Sequence, residues 1–168
     1  MAARNNPQEL RAGGFLFSTD KRRLDLDVIH GFLRECYWSK GIPRSIVARA
    51  IRNSLCFAVY HRNRQVGFAR IISDYATYAY IADVFILEPY RGKGLSKRLM
   101  QFILNHPDLQ GLRRWSLVTR DAHGLYAKSG FTSLKSPERH MEIHNPNVYN
   151  SREVPRKPAA KLAPRARL

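Results

Sequence analysis

Residues 81–100, IADVFILEPYRGKGLSKRLM, constrain this chain more than any other stretch. An apolar run of strand length is followed by a basic turn with two glycines and then by the start of a helix. Gly92 and Gly94 permit positive φ angles and a close approach of the backbone within that turn. The stretch therefore predicts a strand–turn–helix unit around which a sheet with helices on its faces can form.

The turn at residues 91–97, RGKGLSK, has the properties of an anion site. The amides of the first helical turn point outward without partners, and the helix dipole places partial positive charge behind them. Such a helix start binds phosphate oxygens through backbone donors. Arg91, Lys93 and Lys97 add positive charge around it. The alternative is a plain tight turn without a ligand.

Two common phosphate motifs do not fit this turn. The P-loop requires a glycine five residues before its Gly-Lys pair, where this chain has Leu87, and Gly94 occupies the position of its Ser or Thr. The dinucleotide pattern G-x-G-x-x-G requires a third glycine, where this chain has Lys97. These two motifs therefore do not identify the ligand of the turn.

The charge of the chain is unusual for its size. With 29 Lys and Arg against 13 Asp and Glu, the 168 residues carry a formal charge of +16. Nucleic acid, an anionic membrane surface or a polyanionic small ligand could each explain this excess. Residues 150–168 are basic and rich in Pro and Ala, so we expect a disordered tail. Nucleic-acid binding through this tail is possible but not favoured.

Length and composition predict one domain in a reducing compartment. We expect a flexible N-terminus at residues 1–14, a folded domain at 15–149 and the tail at 150–168. The sequence has no apolar segment of membrane-spanning length and no secretory signal, so no membrane partner is expected. The spacing of Cys36 and Cys56 matches no metal-binding motif, and both are predicted to be reduced thiols. These features favour a cytoplasmic protein without a metal, and they are compatible with a homodimer.

Hydrophobic periodicity predicts a mixed α/β sheet flanked by helices. Two helices precede a β-hairpin, whose strands are followed by the strand–turn–helix unit, a further strand, a short helix and one or two last strands. The predicted strands are 15–18, 56–61, 66–73, 81–87, 115–119, a strand from 131 onward and one at 141–143. The predicted helices begin at residue 24, follow the break at residues 41–43, and span 95–106 and 122–129.

Two motifs resemble those of the GNAT superfamily of N-acetyltransferases. Residues 91–96, RGKGLS, are similar to the family pattern Arg/Gln-x-x-Gly-x-Gly/Ala, with Ser96 in place of the last small residue. Downstream, residues 122–131, AHGLYAKSGF, resemble a second family signature. The resemblance implies a mixed, mostly antiparallel sheet with a splayed parallel pair and about four helices. It also implies acetyl-CoA as co-substrate.

The resemblance assigns cofactor contacts residue by residue. The backbone of Val84, Phe85 and Ile86 would pair with the pantetheine arm. Thr119 stands where many members have an asparagine that contacts the same arm. The diphosphate would be held by the turn, which comprises Arg91, Gly92, Lys93, Gly94, Leu95, Ser96 and Lys97.

Tyr126 is the catalytic candidate that the resemblance implies. Its hydroxyl would protonate the departing thiolate, a task for a weak acid within hydrogen-bond reach. The alternative is an aromatic residue of the core.

An ammonium has no free lone pair, so amine acetylation also requires a base. Asp83 is the candidate because a carboxylate in an apolar strand is costly unless it is paired or functional. A structural hydrogen bond is the equal alternative for Asp83, and Glu88 is the next candidate base.

The acceptor is predicted to be a primary amine, small molecule rather than protein, that attacks the thioester directly. Apolar walls are expected from Tyr37, Trp38 and Ile42. A protein N-terminus or lysine as acceptor is the first alternative. A nucleic-acid-binding protein with a vestigial acetyltransferase fold is the second. Three tyrosines near a bend, Tyr75, Tyr78 and Tyr80, are predicted to form either a further wall or, equally, a packing cluster.

Overall fold

The computed structural model describes residues 7–149, and within them six strands form one sheet in the order β1-β2-β3-β4-β5-β6. Neighbouring strands are antiparallel, except for the parallel pair of β5 and β6. The predicted mixed, mostly antiparallel sheet with about four helices is confirmed. The strands are β1 (Glu9–Ala12), β2 (Phe15–Ser18), β3 (Leu55–His61), β4 (Arg64–Ser73), β5 (Tyr78–Ile86) and β6 (Arg114–Ser116). The helices are α1 (Leu26–Leu33), α2 (Arg44–Arg52), α3 (Leu95–Leu104) and α4 (His123–Ala127), with 3-10 turns at Lys21–Arg23, Glu88–Tyr90, Pro107–Leu109 and Pro137–Arg139.

The helices cover both faces of the sheet. Successive side chains of a strand point to opposite faces, so each strand contributes to two cores. On one face α3 buries Leu99 in a cluster with Phe57 of β3. On the other face α1 and α2 bury Ile29 and Val47 in a cluster with Phe68 of β4. The segments of β4 and β5 that lie beyond α1 and α2 remain open on this second face.

The central hairpin of β3 and β4 was predicted and is present. Its turn is shorter than expected, because β4 begins at Arg64 and leaves only Arg62 and Asn63 between the strands. Both residues have positive φ angles of 47° and 65°, as in the two-residue turns that match the right-handed twist of paired strands. Asparagine tolerates this conformation well.

The parallel pair of β5 and β6 separates along its length. Its paired residues are Tyr78–Tyr80 in β5 and Arg114–Ser116 in β6, whereas β5 continues to Ile86 on the β4 side. The second half of β5 therefore has no strand partner on its β6 side among the described residues. This splay opens a gap between the two strands at their C-terminal ends, next to the turn that leads into α3.

The N-terminal segment differs from its prediction. Residues 9–12, expected within a flexible region, form β1 and pair with β2 through a turn at Gly13 and Gly14. These glycines adopt φ angles of 59° and 79°, so they permit the tight hairpin. The backbone N–H of Thr19 also donates to the carbonyl of Gln8 at 3.0 Å. The Gly-Gly pair between two short extended runs was the sequence signal for this hairpin.

The strands predicted at 131 onward and at 141–143 are absent from residues 131–149. Pro137 instead starts a 3-10 turn, since proline cannot donate the hydrogen bond that a strand ladder requires. Met141 and Ile143 are fully exposed. Tyr149 packs against the core that α1 and α2 cover. The predicted tail at 150–168 lies outside the described residues.

Candidate functional site

The turn between β5 and α3 has the backbone geometry expected of an anion site. Gly94 is the N-cap of α3 with a φ of 72°, and Gly92 has a φ of 75°. A side chain at either position would adopt the left-handed region at a cost of roughly 1–2 kcal/mol. A Cβ added at either glycine would meet no atom within 4 Å, so the space in front of the turn is open. The buried side chain of Leu95 anchors the start of the helix.

Six consecutive backbone amides of this turn lack a partner. The N–H groups of residues 92–97 have no hydrogen-bond acceptor within residues 7–149, and Gly94 supplies no side-chain cap. With the positive end of the helix dipole behind them, they form a row of donors for an anion. Lys93 and Lys97 are exposed, and the Lys93 ammonium lies 5.3 Å from the centre of the Tyr90 ring. We call residues 92–97 the amide turn.

Arg91 ties the amide turn to the end of β5. Its Nε donates to the carbonyl of Ile86 at 3.0 Å, so this side chain bridges the 3-10 turn between strand and helix. The backbone N–H of Leu87 donates to Val66 of β4, and strand alternation turns the backbone groups of Ile86 the other way, toward the gap. Arg91 therefore occupies the Ile86 carbonyl that the sequence resemblance assigned to the pantetheine arm.

The side chains of the second half of β5 belong to the core. Phe85 is buried and stacks on Phe32 of α1 with ring centres 4.0 Å apart, while Ile86 is buried on the opposite face. Val84 packs partly against the same cluster as Ile86. Their side chains are therefore not available to a ligand in the gap, which the backbone groups of Ile86 face.

Gly67 of β4 permits the close contact that positions β5. A Cβ at Gly67 would lie 2.5 Å from Cδ1 of Ile86 and 3.1 Å from the carbonyl oxygen of Phe85. Since the second contact is with backbone, a larger residue would push the two strands apart. The glycine in the segment VGFAR was its only sequence signal, and the sequence analysis did not single it out.

Asp83 occupies an irregular position in β5. The register with β4 shifts between Phe68 and Arg70, and Asp83 has a φ of 55°, which is uncommon for a residue other than glycine. Its Oδ2 accepts from Nε of Arg70 at 2.7 Å, and both side chains are only 15% exposed. The Arg70 guanidinium also donates to the hydroxyl of Ser54 at 3.1 Å. Two roles were considered for Asp83, that of a catalytic base and that of a structural hydrogen-bond partner. The structure contains the partner that the structural role requires, which is Arg70.

Tyr126 of α4 is buried beside the gap. Its ring makes an edge contact with Phe131, with centres 6.0 Å apart, and no residue in the described part of the chain forms a hydrogen bond with its hydroxyl. Burial raises the pKa of Tyr126, and the nearby Tyr37, Asp121 and Tyr80 raise it further. The hydroxyl therefore retains its proton at neutral pH and is available to donate it.

Thr119 has a role within the loop between β6 and α4. Its Oγ1 accepts from the backbone N–H of Ala122 at 3.0 Å, which stabilises the turn that leads into the short helix. The side chain is thus engaged in shaping the loop that carries Tyr126.

The link between α1 and α2 reaches across to that same loop. The hydroxyl of Tyr37 accepts from the backbone N–H of Arg120 at 3.2 Å, and the Arg120 guanidinium lies 3.8 Å from the centre of the Tyr37 ring. Trp38 makes an edge contact with Tyr37. Tyr37 and Trp38 are about half exposed, whereas Ile42, predicted as a further wall, is buried in the core. Arg120 had no sequence signal.

The two cysteines are separate reduced thiols. Burial, followed by the charge of Asp83, raises the pKa of Cys36 to about 11. Burial likewise raises the pKa of Cys56 to about 12. Both thiols are therefore protonated at neutral pH and are poor nucleophiles.

A cavity of about 690 Å³ lies on the outer side of β6, between Trp115 and residues 129–136. None of the residues predicted for the site lines it. It occupies the region next to β6 where the sequence predicted a further strand from residue 131. No group of three or more potential metal ligands occurs among residues 7–149. In the same range, no helix has the length and apolar character needed to cross a bilayer.

The fold combines a splayed parallel pair, the amide turn and the buried Tyr126. Comparison with known proteins identifies the class of enzymes to which such a chain belongs. The family model of the Acetyltransferase (GNAT) family matches residues 26–131. A predicted acetyltransferase of Gibberella zeae is 33% identical over 146 residues, which cover 73% of this chain and 81% of that protein.

Solved structures agree with this match. A predicted GNAT-family acetyltransferase of Xanthomonas campestris has 51% identity and a TM-score of 0.81, over 83% of this chain and 99% of that chain. A predicted acetyltransferase of Clostridium acetobutylicum, solved with acetyl-CoA, shares the fold with 14% identity and a TM-score of 0.56, over 88% of this chain and 99% of that chain. The chain belongs to the GNAT family of acetyltransferases.

Proposed function

We propose that this protein transfers an acetyl group from acetyl-CoA directly to the primary amine of a small molecule. The observation that carries the proposal is the row of six unpartnered amides at residues 92–97, placed at the end of a gap between two parallel strands. A diphosphate is a compact, doubly charged anion that matches such a row of donors.

The residues around the gap fit the parts of acetyl-CoA. The amide turn would hold the diphosphate, with Lys93 and Lys97 adding charge from its exposed side. The backbone of Val84, Phe85 and Ile86 would contact the pantetheine arm, with the N–H of Ile86 turned toward the gap and its carbonyl already bound to Arg91. When bound, acetyl-CoA supplies a thioester whose carbonyl carbon an amine can attack.

Tyr126 is the proposed general acid. As the amine nitrogen forms a bond to the carbonyl carbon and the carbon–sulfur bond breaks, the leaving sulfur takes the proton of the Tyr126 hydroxyl. Burial supports this role, because it holds the pKa of Tyr126 above its ordinary value and keeps the proton in place.

The attacking nitrogen must also lose a proton. The Arg70 contact supports a positioning role for Asp83, which holds the irregular segment of β5 in place through a paired carboxylate. We therefore propose that the proton of the ammonium leaves through water. The role of Asp83 as the base stays a prediction from the sequence, and so does that of Glu88, which is exposed at the start of its 3-10 turn.

Direct transfer is favoured over an acetylated cysteine intermediate. Covalent catalysis requires a thiolate, whereas the pKa of Cys36, about 11, keeps this thiol protonated at neutral pH. Cys56 lies in the core. Two free thiols also suit a reducing compartment, and we propose a cytoplasmic location.

Release of free coenzyme A thiol from acetyl-CoA, measured across a panel of amines, tests the proposal. We expect release that depends on both the enzyme and a small primary amine, with acetylated amine formed in equal amount. Faster acetylation of a peptide N-terminus or a lysine side chain would favour the protein-directed alternative. A folded protein that binds no coenzyme A in calorimetry would contradict the proposal altogether.

A further inference from the structure

The open part of the sheet between α1, α2 and β6 carries an unusual set of side chains. Ile72 of β4 pairs directly with Tyr80 of β5, and Tyr80 pairs with Ser116 of β6, so these residues lie in one row on the same face. Tyr78 lies on that face two residues earlier and shares a hydrogen bond with Ser116 through its hydroxyl. Ile72 and Tyr78 are 44% and 41% exposed, although they stand on a sheet that is otherwise well covered.

Two more aromatic rings lie beside this row. Tyr37 and Trp38, in the link between α1 and α2, lie on the same side of the sheet as those helices and are 48% and 44% exposed. The contact of Tyr37 with Arg120 ties this ring to the loop between β6 and α4. Tyr37 and Tyr80 both raise the pKa of Tyr126, as expected for groups in the same neighbourhood. We call Ile72, Tyr78, Tyr80, Tyr37 and Trp38 the aromatic groove.

Two ion pairs lie near residues of the aromatic groove. Arg70 and Asp83 bind each other at 2.7 Å, and Arg120 lies 3.7 Å from Asp121 while its guanidinium covers Tyr37. A polyamine would require free carboxylates at a spacing that matches its nitrogens. Asp83 is paired with Arg70, and Asp74 accepts hydrogen bonds from residues 76–78 in its own turn. Rings and an aliphatic side chain instead offer apolar area and faces on which another ring can stack.

We propose that the acceptor is a primary amine that carries an aromatic ring, with the ring held in the aromatic groove and the amine directed toward Tyr126. This inference rests on the proposed function and specifies its substrate class. Ring contacts of Trp38 and Tyr80 select the acceptor. The groove binds the free acceptor on the face opposite to the core that holds α3.

Thiol release at saturating acetyl-CoA, with 2-phenylethylamine, putrescine and a short peptide with a free N-terminus as probes, tests the proposal. We expect kcat/KM for 2-phenylethylamine to exceed that for each of the other two at least tenfold. Trp38→Ala and Tyr80→Leu should each raise the KM for 2-phenylethylamine about tenfold, with the KM for acetyl-CoA unchanged within twofold. Putrescine or the peptide as the better acceptor would overturn the proposal.

A fluorescence control keeps the test independent of turnover and of folding defects. The chain has two tryptophans, and Trp115→Phe leaves Trp38 as the only one. Trp115 packs on the opposite face, against the core of α3, so this variant should retain activity. We expect 2-phenylethylamine to change the Trp38 emission saturably in the presence of coenzyme A. If coenzyme A binds and 2-phenylethylamine neither alters this emission nor is acetylated, the aromatic acceptor is wrong; if coenzyme A does not bind, the proposed function fails as well.

Discussion

At the scale of single residues, Tyr126 is the group whose chemistry depends most on its surroundings. Its phenol would be an ordinary surface acid elsewhere, but burial raises its pKa above the usual value of 10.0. An acid with a raised pKa stays protonated until the pH rises through that value. Catalytic activity that depends on the Tyr126 proton should thus not be affected by ionisation of this residue up to pH 10, and it should fall only above pH 10.

Replacing Tyr126 with phenylalanine tests its role as the acid. Phenylalanine keeps the ring and its contact with Phe131 but removes the proton donor. We expect kcat to fall roughly 100-fold, the lower range for a positioned acid, with acetyl-CoA affinity unchanged. Steady-state kinetics and calorimetry measure the two quantities. Full turnover by Tyr126→Phe near neutral pH would show that another group protonates the thiolate.

Paired variants distinguish the two roles of Asp83. Asparagine tolerates a positive φ, so Asp83→Asn removes the charge and keeps the backbone. Arg70→Gln removes the other half of the same pair. Breaking a buried ion pair costs about 3 kcal/mol, so both variants should lose similar free energy of unfolding in urea. We expect the acidic limb of the pH–rate profile to be the same in both; its loss in Asp83→Asn alone would identify Asp83 as the base.

Tyr60 carries a buried hydroxyl that the fold does not use. No partner within residues 7–149 binds this oxygen, and burial raises the pKa of Tyr60 to about 12. Because the folded pKa exceeds the unfolded one, the protein should lose stability as the pH rises from 10 toward 12.

Tyr60→Phe should remove that alkaline loss and stabilise the protein at neutral pH. The gain should be about 1 kcal/mol, since an unpaired buried hydroxyl costs that much or more. Urea unfolding at pH 7 and at pH 11 measures both effects. A loss of stability at pH 7 would mean that the hydroxyl has a partner, such as an ordered water.

At the scale of elements, the amide turn depends on two glycines whose conformation other residues avoid. Gly94 and Gly111 provide a matched comparison, because both have a φ of 72° and open space where a Cβ would lie. Gly111 lies in the loop before β6, away from the start of α3. Alanine at either position meets the same backbone cost of roughly 1–2 kcal/mol.

We expect Gly94→Ala and Gly111→Ala to lose similar stability but to differ in ligand binding. Gly94→Ala should weaken coenzyme A binding about tenfold, which is about 1.4 kcal/mol, because it disturbs the row of amides. Gly111→Ala should bind as the wild type does. Thermal unfolding and calorimetry separate the two effects. Equal affinity in both variants would indicate that the anion binds elsewhere.

Strand and helix positions near the turn were predictable because each follows a local rule. The hairpin of β3 and β4 and the unit of β5 and α3 show clear alternation, and Gly92 and Gly94 mark the turn between them. β1 was missed although Gly13 and Gly14 are a hairpin signal, because its exposed residues show no apolar pattern. The strand expected after Phe131 does not form because Pro137 interrupts it.

At the scale of the whole molecule, contacts between distant segments could not be read from the sequence. The pairing of Arg70 with Asp83 depends on the register of β4 and β5, and that of Tyr37 with Arg120 joins residues 83 positions apart. Local patterns identified Tyr126 and the glycines of the turn. They could not show that Arg91 binds Ile86 or that Thr119 accepts from Ala122, because these short-range contacts depend on the backbone path of the turn and the loop, which residue types alone do not determine.

Net charge also acts over the whole molecule. An excess of 16 positive charges attracts a polyanion such as coenzyme A from a distance, an effect that salt screens. The amide turn supplies the specific site within this field. The contribution of the basic residues beyond 149 lies outside the described structure.

The most direct test of the central claim is an NMR titration of the ¹⁵N-labelled protein with acetyl-CoA. The amides of residues 92–97 have no partner among residues 7–149, so direct hydrogen bonds to a diphosphate should move their resonances strongly. We expect saturable shifts that are largest at Gly92, Gly94 and Ser96, with residues near Gly111 unaffected. Saturation without shifts in the amide turn, or no binding by the folded protein, would contradict the account.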